Sequence, residues 1–304
     1  MTVLIEPAPG KVNLCLFLGP SRSDGRHDLV SVVQAVSLAD ELRIEAAAAG
    51  VLEDEVICDG VEGPNLASAA LSAYREQAGW NGPPVRLTIS KRVPIAAGMG
   101  GGSADAGAAL RLVDRWVGVP DSASRELLRA IAPGLGSDVP ALLSPGLALV
   151  GGAGEEVAEL EPLDPLLFLV LPSKQRLATA EVFAEADRLG LGRSQVELDQ
   201  LRSAVLTRLS GSRSLSQDLL QNDLELAARS LCPAIDGALD AAIEAGAQKA
   251  MVSGSGPTVF GIFAAEDGDT KTADELAASA AALTRHYPGA AVARAWVAPL
   301  LGGL

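Results

Sequence analysis

Aromatic side chains and cysteines are scarce in this sequence. Phe, Trp and Tyr together account for 3% of its 304 residues, so the core has to be built largely from Ala, Val, Leu and Ile. The three cysteines, Cys15, Cys58 and Cys232, are scattered and form no Cys-x-x-Cys or Cys/His cluster, which argues against a disulfide framework and a zinc site. Hydrophobic residues nevertheless reach 48%, enough for a sizeable core and two domains.

Positive charge is also in short supply. The 24 Lys and Arg against 38 Asp and Glu give a net charge of −14, which argues against general nucleic-acid binding. An anionic small molecule remains compatible, because a few local cations and backbone N–H groups are enough to bind it. No apolar run approaches the ~20 residues of a membrane span, and the N-terminus lacks the basic-then-apolar pattern of a signal peptide. We therefore expect a cytoplasmic protein that binds neither nucleic acid nor membrane.

Glycine, by contrast, is abundant and concentrated, with four glycines between positions 98 and 102. A strand-like run at 85–89 precedes this stretch and a helix-like run at 103–117 follows it. Strand, glycine loop and helix start are typical of a phosphate site, because the backbone approaches the anion closely and the helix N-terminus favours negative charge. The pattern is not a P-loop, which needs a lysine after the glycines, nor a dinucleotide fingerprint, since position 103 is serine. The alternative is a flexible turn that only starts the helix, with Ser103 as its cap and Asp105 in its first turn.

Polar residues near the N-terminus are candidates for ligand contacts. Lys11 and Asn13 share one face of a predicted strand that follows a break at Pro9-Gly10. Both could meet a ligand, or the face could be a solvated edge. His27, one of two histidines, lies in a polar turn where simple exposure is the alternative to a functional role.

Three further segments have two interpretations from the residues alone. Asp138 lies at a predicted helix start, where its carboxylate could serve the helix dipole or catalysis. Asn65 could be the N-cap of a helix over 66–77. The Gly/Ser loop 253–256, between two predicted strands, could line the same phosphates or turn a hairpin.

A composition break at 161–165 predicts a second domain that opens on the apolar strand 166–171. The first half mixes strands and helices, with a loop or hairpin over 46–63 and a hairpin over 146–161. The second half combines helices with an antiparallel sheet. Its predicted helices cover 179–189, 195–209, 218–231, 233–245 and 271–286, and its last predicted strand covers 290–297.

Five glycine-containing or polar motifs occur in a fixed order along the chain: PGKVNL at 9–14, DGRHDL at 24–29, PIAAGMGGGSADA at 94–106, LGSDVP at 135–140 and VSGSGP at 252–257. Together they resemble the motifs of the GHMP kinases over essentially the whole chain. The resemblance implies an α+β fold in two domains. The N-terminal ATP-binding domain, 1–160, would resemble the second domain of ribosomal protein S5, and the C-terminal domain, 161–304, would be ferredoxin-like.

The resemblance implies that ATP, with Mg²⁺, phosphorylates a hydroxyl of a cytidylyl-diphosphate sugar alcohol in the non-mevalonate route to isoprenoid precursors. Asp138 matches the base that takes the hydroxyl proton, and Lys11 matches the neighbouring cation that stabilises charge. The metal has no dedicated site; the phosphates hold it, with Ser103 as a candidate ligand. Matching ATP contacts are Asn65, Lys91, Pro94, Gly98, Gly100, Gly101, Gly102 and Ser103, with Gly254, Ser255 and Gly256 as a supporting loop.

The matching substrate contacts are Asn13, Arg26, His27, Thr179 and Phe183. His27 matches a histidine that recognises cytosine, and Phe183 matches one side of an aromatic sandwich around the base. The family's other side is a tyrosine just before the histidine, where this chain has Arg26. A guanidinium plane can also stack on a base. We expect a monomer or homodimer.

Two other functions compete with this prediction. One is a GHMP kinase for another small alcohol, such as homoserine or mevalonate. The other is a catalytically silent nucleotide sensor on the same scaffold. The His27 turn, Phe183 and the LGSDVP segment favour the cytidylyl substrate, and the presence of both Lys11 and Asp138 argues against a silent protein.

Overall fold

The structure, a computed structural model, describes residues 2–61, 65–95, 97–214, 216–264 and 270–297, without the side chains of 121, 122 and 270–272. Ala96, part of the predicted glycine stretch, lies outside these ranges. Two compact units make up the chain. The first comprises Met1–Gly10, Ala39–Ile95 and Gly100–Pro145, and the second comprises Lys11–Leu38, Ala96–Met99 and Gly146–Leu304. The predicted division at residue 160 stays a prediction.

The fold begins with two long strands that pair with each other, β1 (Val3–Ser21) and β2 (His27–Ala46). The predicted break at Pro9-Gly10 is wrong, because β1 runs through it. The separate strands predicted at 29–38 and 40–45 are likewise one strand. Ladder hydrogen bonds to neighbouring strands hold a backbone extended across residues that locally favour a turn.

Among its described residues, the first unit has a sheet and four helices. The end of β2 pairs antiparallel with β4 (Val85–Ser90), which pairs parallel with β3 (Glu55–Cys58). The prediction of a loop or hairpin over 46–63 missed β3. Buried Leu, Ile, Val and Ala side chains form most of the core, with Tyr74 as a large aromatic member. The helices are α1 (Leu66–Ala78), α2 (Gly101–Val117), α3 (Asp121–Leu135) and α4 (Val139–Leu142).

Helix α2 begins earlier than predicted. Its N-cap is Gly100, which has a left-handed backbone with φ of 65°, and its first helical residue is Gly101. The predictions of Ser103 as the cap and of Asp105 in the first turn are therefore wrong. The predicted inward face is confirmed for Ala106, Ala109, Leu110 and Val113, which are all buried.

The second unit holds a hairpin and a second sheet. The hairpin strands β5 (Leu147–Gly151) and β6 (Glu156–Leu160) confirm the prediction over 146–161, and β5 also pairs with the first part of β2. The second sheet is antiparallel throughout, as predicted. Its strand order is β10 (Ala291–Arg294), β7 (Leu166–Leu171), β9 (Val259–Ala264) and β8 (Lys249–Val252).

The second unit also contains α5 (Thr179–Leu189), α6 (Gln195–Gly211), α7 (Glu225–Leu231), α8 (Ala234–Glu244) and α9 (Thr270–Leu283). The helix predicted from residue 218 begins only at Glu225, because Asn222 and Asp223 bind distant parts of the chain instead. Asp223 accepts hydrogen bonds from the Leu18 N–H and from the Arg193 guanidinium. Within the described ranges, every helix is too short or too polar for a transmembrane span.

Candidate active site

Three of the five motifs, PGKVNL, PIAAGMGGGSADA and VSGSGP, are called the first, second and third motifs below. The side chain of Lys11 joins the first two. Its ammonium donates hydrogen bonds to Asn13 Oδ1 and to the Gly98 carbonyl, each 2.8 Å long. Its backbone N–H donates to the Met99 carbonyl at 2.9 Å. Lys11 and Asn13 are each only 4% exposed, so the alternative of a solvated strand edge is wrong.

The third motif reaches the same group of atoms. The Ser253 hydroxyl donates to the Gly98 carbonyl at 3.0 Å. Gly254 has φ of 56°, and a Cβ there would lie 3.1 Å from Lys11 Nζ and 3.3 Å from Asn13 Oδ1. A Cβ on Gly98 would lie 2.1 Å from the Ser253 carbonyl oxygen. Glycine is favoured at both positions because the backbone is left-handed, and at Gly98 a Cβ would also clash with the Ser253 carbonyl oxygen.

Asn13 has protein partners at both ends of its amide. Its Oδ1 accepts from Lys11, and its Nδ2 donates to Ser31 Oγ at 2.9 Å. The Ser31 hydroxyl in turn donates to the Cys15 carbonyl at 2.6 Å. This chain of hydrogen bonds orients Lys11, while a substrate contact by Asn13 stays a prediction.

Asn222 supports the third motif, although the sequence did not single it out. Its Nδ2 donates to the Val252 carbonyl at 2.9 Å and the Gly254 carbonyl at 2.8 Å. Its Oδ1 accepts from the Leu224 N–H at 3.0 Å. Locally, an Asn-Asp pair before a helix indicates only a cap. Nothing in that pattern points to a loop more than thirty positions away.

His27 and Phe183, both predicted to contact cytosine, lie side by side. Their ring centroids are 5.3 Å apart and the ring planes are inclined by 40°. His27 Nε2 is 2.8 Å from Asp187 Oδ1 and 2.9 Å from Ser21 Oγ. The side chain is buried, so the alternative of simple exposure is wrong for His27.

Thr179 and Arg26, the other two predicted contacts of the cytidylyl group, have protein partners of their own. Thr179, at the start of α5, has its hydroxyl 3.0 Å from Ser255 Oγ and so contacts the third motif. Arg26 is half exposed, and its guanidinium donates to Asp24 at 2.8 and 3.1 Å. The Arg26 backbone N–H and then its side chain lower the pKa of Asp24. Stacking of Arg26 on a base stays a prediction.

In the first unit, Lys91 lies between two buried carboxylates. Its ammonium forms ion pairs with Asp40 Oδ2 and, at 2.7 Å, with Asp105 Oδ2. Asp40 also accepts the backbone N–H groups of Arg92 and Val93. Burial alone would lower the pKa of Lys91, but the two carboxylates outweigh it and raise the pKa. Burial raises the pKa of Asp105 to about 7, although Lys91 opposes the shift.

The start of α2 packs near the start of α1. Asn65 accepts the Ala67 N–H at 2.8 Å and is the N-cap of α1, which confirms the capping interpretation. A Cβ on Gly102 would lie 3.7 Å from Leu66 Cδ1. Pro94 precedes the loop in the same unit. Direct contact of Asn65 or Pro94 with a nucleotide stays a prediction.

Asp138 belongs to a segment beside the start of α2. A Cβ on Gly136 would lie 3.9 Å from Ser103 Oγ, which brings the LGSDVP segment next to the residue predicted to meet phosphate or metal. Asp138 is partly buried and precedes α4, but its carboxylate makes no capping hydrogen bond to that helix. The helix-dipole role, which is the alternative to catalysis for this carboxylate, stays a prediction.

Comparisons with known proteins identify the family. Models described as "GHMP kinases N terminal domain" and "GHMP kinases C terminal" match residues 65–146 and 200–289. A 4-diphosphocytidyl-2-C-methyl-D-erythritol kinase of Corynebacterium efficiens is 39% identical over 269 residues, 82% of each chain. The chain belongs to the 4-diphosphocytidyl-2-C-methyl-D-erythritol kinase family. The enzyme of that name in Streptomyces coelicolor is 42% identical over 268 residues, 85% of this chain and 86% of the relative.

Solved structures agree with this assignment to the 4-diphosphocytidyl-2-C-methyl-D-erythritol kinases. A crystal structure of 4-(cytidine 5'-diphospho)-2C-methyl-D-erythritol kinase has a TM-score of 0.73 and 30% identity, and the match covers 97% of this chain and 100% of that one. A homoserine kinase of Cytophaga hutchinsonii has a TM-score of 0.64 at 19% identity, over 98% and 96% of the two chains, and shares the fold. The resemblance to the GHMP kinases and the α+β two-domain fold are confirmed.

Proposed function

We propose that this chain transfers the γ-phosphate of ATP to a hydroxyl of 4-diphosphocytidyl-2-C-methyl-D-erythritol, in the non-mevalonate route to isoprenoid precursors. Its family membership supports this substrate. The observation that carries the proposal is the buried hydrogen-bonded group around Lys11, where residues of three distant motifs meet. We further propose a cytoplasmic monomer or homodimer.

The chemistry is assigned to Asp138 and Lys11. A bond forms between the substrate oxygen and the γ-phosphorus, and the bond from that phosphorus to the bridging oxygen of ADP breaks. Asp138 accepts the proton of the attacking hydroxyl, and Lys11 offsets the charge on the transferred group. The acceptors Asn13 Oδ1 and the Gly98 carbonyl fix the direction of the Lys11 ammonium.

The glycine loop and the start of α2 are assigned to the ATP phosphates. Backbone N–H groups at a helix start are donors for an anion, and the glycines at 98 and 100–102 let phosphate approach them. Asn65 would lie on the adenine side, Pro94 would contact ATP, and the loop Gly254–Gly256 would support the phosphates.

Mg²⁺ would enter with the nucleotide. When bound, it neutralises charge on the phosphates during transfer. The described part of the chain offers no group of three or more His, Cys, Asp or Glu that could hold a metal ion. The phosphates and water must therefore supply most of its ligands, which suits Mg²⁺. The Ser103 hydroxyl, near the glycine loop, fits a single oxygen ligand.

The cytidylyl group is assigned to His27 and Phe183, which present two neighbouring rings. Thr179 would line the same pocket, since its contact with Ser255 connects it to the third motif. Arg26 would stack on the base after exchanging its contact with Asp24, and Asn13 would meet a polar group of the substrate.

A substrate panel tests the proposal. The purified protein is given ATP, Mg²⁺ and one of three alcohols: the cytidylyl compound, mevalonate or homoserine. ADP release and phosphorus NMR of the product are then measured. We expect turnover of the cytidylyl compound with kcat/KM roughly 10⁴-fold above the other two, because a site built for a polar base rejects molecules that lack it. Turnover of mevalonate or homoserine without turnover of the cytidylyl compound would reassign the substrate. ATP binding without turnover of any alcohol would favour the silent sensor.

A further inference from the structure

Asp40, Lys91 and Asp105 form a buried charged group, here called the carboxylate–lysine triad, to which the chemistry proposed above assigns no step. The side chains are 0%, 13% and 5% exposed, respectively. Asp105 Oδ1 is buried with no hydrogen-bond partner in the described part of the chain. Two carboxylates around one ammonium, with one oxygen unsatisfied, are costly to bury. Such a group needs a reason beyond stability.

The triad connects the two ends of the glycine loop. Lys91 follows β4 and precedes the loop, whereas Asp105 lies on α2, after the loop. Asp40 holds the entry to the loop, because it accepts the N–H groups of Arg92 and Val93 as well as the ammonium. The ion pair from Lys91 to Asp105 therefore ties the incoming segment to the helix that the loop starts.

The Lys91 ammonium also lies close to the first residue of this helix. A Cβ on Gly101 would lie 3.4 Å from Lys91 Nζ and 3.1 Å from Val93 Cγ1. The N–H groups of this first turn are those that a phosphate would meet. A change in the position of Lys91 would thus shift the donors themselves.

We propose that Lys91 and Asp105 are positioning residues, which align the first turn of α2 for the nucleotide phosphates. Lys91 is held by carboxylates on both sides and acts on the nucleotide through α2, in place of the direct contact predicted from sequence. The proposal rests on the ATP-dependent function proposed above. It concerns the placement of backbone donors and not the net charge of the triad.

Two substitutions of Asp105 separate placement from charge. Asp105→Asn keeps an oxygen acceptor for Lys91, and Asp105→Leu has a similar size but no acceptor. If placement matters, we expect KM for ATP to stay within about threefold of wild type for Asn and to rise about tenfold or more for Leu. KM for the cytidylyl compound should stay unchanged in both. If only charge matters, both variants lose the same negative charge and should bind ATP equally well or better than wild type, and the proposal fails.

Asp114→Asn is the matched control. This buried carboxylate lies on the same helix and accepts hydrogen bonds from the hydroxyls of Tyr74 and Ser124. We expect its loss to lower Tm while KM for ATP stays unchanged. A parallel rise of both KM values in Asp105→Leu would indicate a general structural role and would overturn the proposal.

If circular dichroism shows that Asp105→Leu is unfolded, Lys91→Arg provides the test of the proposal. Arginine keeps both ion pairs but changes the distances between the cation and the two carboxylates, because its charge is spread over a planar guanidinium. We expect an increased KM for ATP with Tm close to wild type, and an unchanged KM would overturn the proposal. A wild-type protein that binds no ATP would instead count against the proposed function.

Discussion

At the scale of single residues, the candidate site depends on side chains that hold other side chains. Lys11 is directed by Asn13, which is held by Ser31, and both contacts are buried. Gly98 and Gly254 contribute by lacking a side chain where Lys11 and Ser253 approach. The orientation of the proposed cation is therefore a property of four separate stretches of sequence.

Asp138→Asn should remove the proposed base and keep the site intact. We expect kcat to fall by about 10²- to 10⁴-fold, because the amide cannot accept the hydroxyl proton. Single-turnover kinetics measures the loss, and calorimetry should give dissociation constants for ADP and the cytidylyl compound within about threefold of wild type. The exposed neighbour Ser137, changed to Ala, serves as the control and should retain wild-type kcat. Near-wild-type turnover of Asp138→Asn would take this residue out of the role of base.

Gly254→Ala should disturb the Lys11 ammonium directly. The new Cβ would meet Lys11 Nζ and Asn13 Oδ1, and the left-handed backbone adds strain of about 1–2 kcal/mol. We expect kcat to fall about tenfold or more, because a small misplacement of a catalytic group is costly.

Gly190→Ala is the matched control for this substitution. Gly190 also has a left-handed backbone, with φ of 68°, but a Cβ there would have nothing within 4 Å. Both variants should lower Tm by a similar amount, and only Gly254→Ala should lower kcat. Equal kcat in the two variants would show that the approach to Lys11 has no functional consequence.

At the scale of elements, the local sequence pattern predicted correctly those segments whose tertiary contacts favour the same secondary structure as their own residues. The periodicity of residues 179–189 predicted α5 with the bounds that the structure has, and the apolar run 166–171 predicted β7. The predictions fail where contacts with residues distant in sequence determine where a strand or helix begins or ends. β1 passes through Pro9-Gly10 because it pairs with β2, and α7 starts late because Asn222 binds the third motif.

Asn222→Ala should loosen the third motif. The substitution leaves the carbonyls of Val252 and Gly254 and the Leu224 N–H without their partner, at a cost of about 1–3 kcal/mol for a group left buried and unsatisfied. We expect faster hydrogen exchange at 252–256, measured by mass spectrometry, and a kcat at least about tenfold lower.

Asn222→Asp tests which end of the amide matters. The carboxylate keeps an acceptor for the Leu224 N–H but faces two carbonyl oxygens without a proton to donate. We expect loss of kcat at least as large as for Ala. A variant that turns over normally would assign Asn222 to the start of α7 alone.

At the scale of the whole molecule, the order of five motifs was enough to predict the family and the fold, because each motif is local and readable in sequence. The polar residues that hold those motifs in place could not be predicted from the sequence. Asn222, Ser31 and Asp40 are ordinary polar residues in their own segments. Only the folded chain brings Asn222 to the third motif, Ser31 to Asn13 and Asp40 to Lys91. Polar partners of this kind can be found from a structure and not from a single sequence.

The net charge of −14 predicts how kcat/KM depends on salt concentration. ATP and the cytidylyl diphosphate are both anions, so the long-range field of the protein opposes their approach. At about 10 mM salt this field extends roughly 30 Å, and at about 150 mM it is screened beyond about 8 Å. We therefore expect kcat/KM for either substrate to rise up to a few-fold as KCl increases over this range at constant free Mg²⁺. The same rise in potassium acetate would exclude a specific effect of chloride. A steady fall of kcat/KM with salt would show that cations near the site, Lys11 among them, dominate the field that an incoming substrate meets.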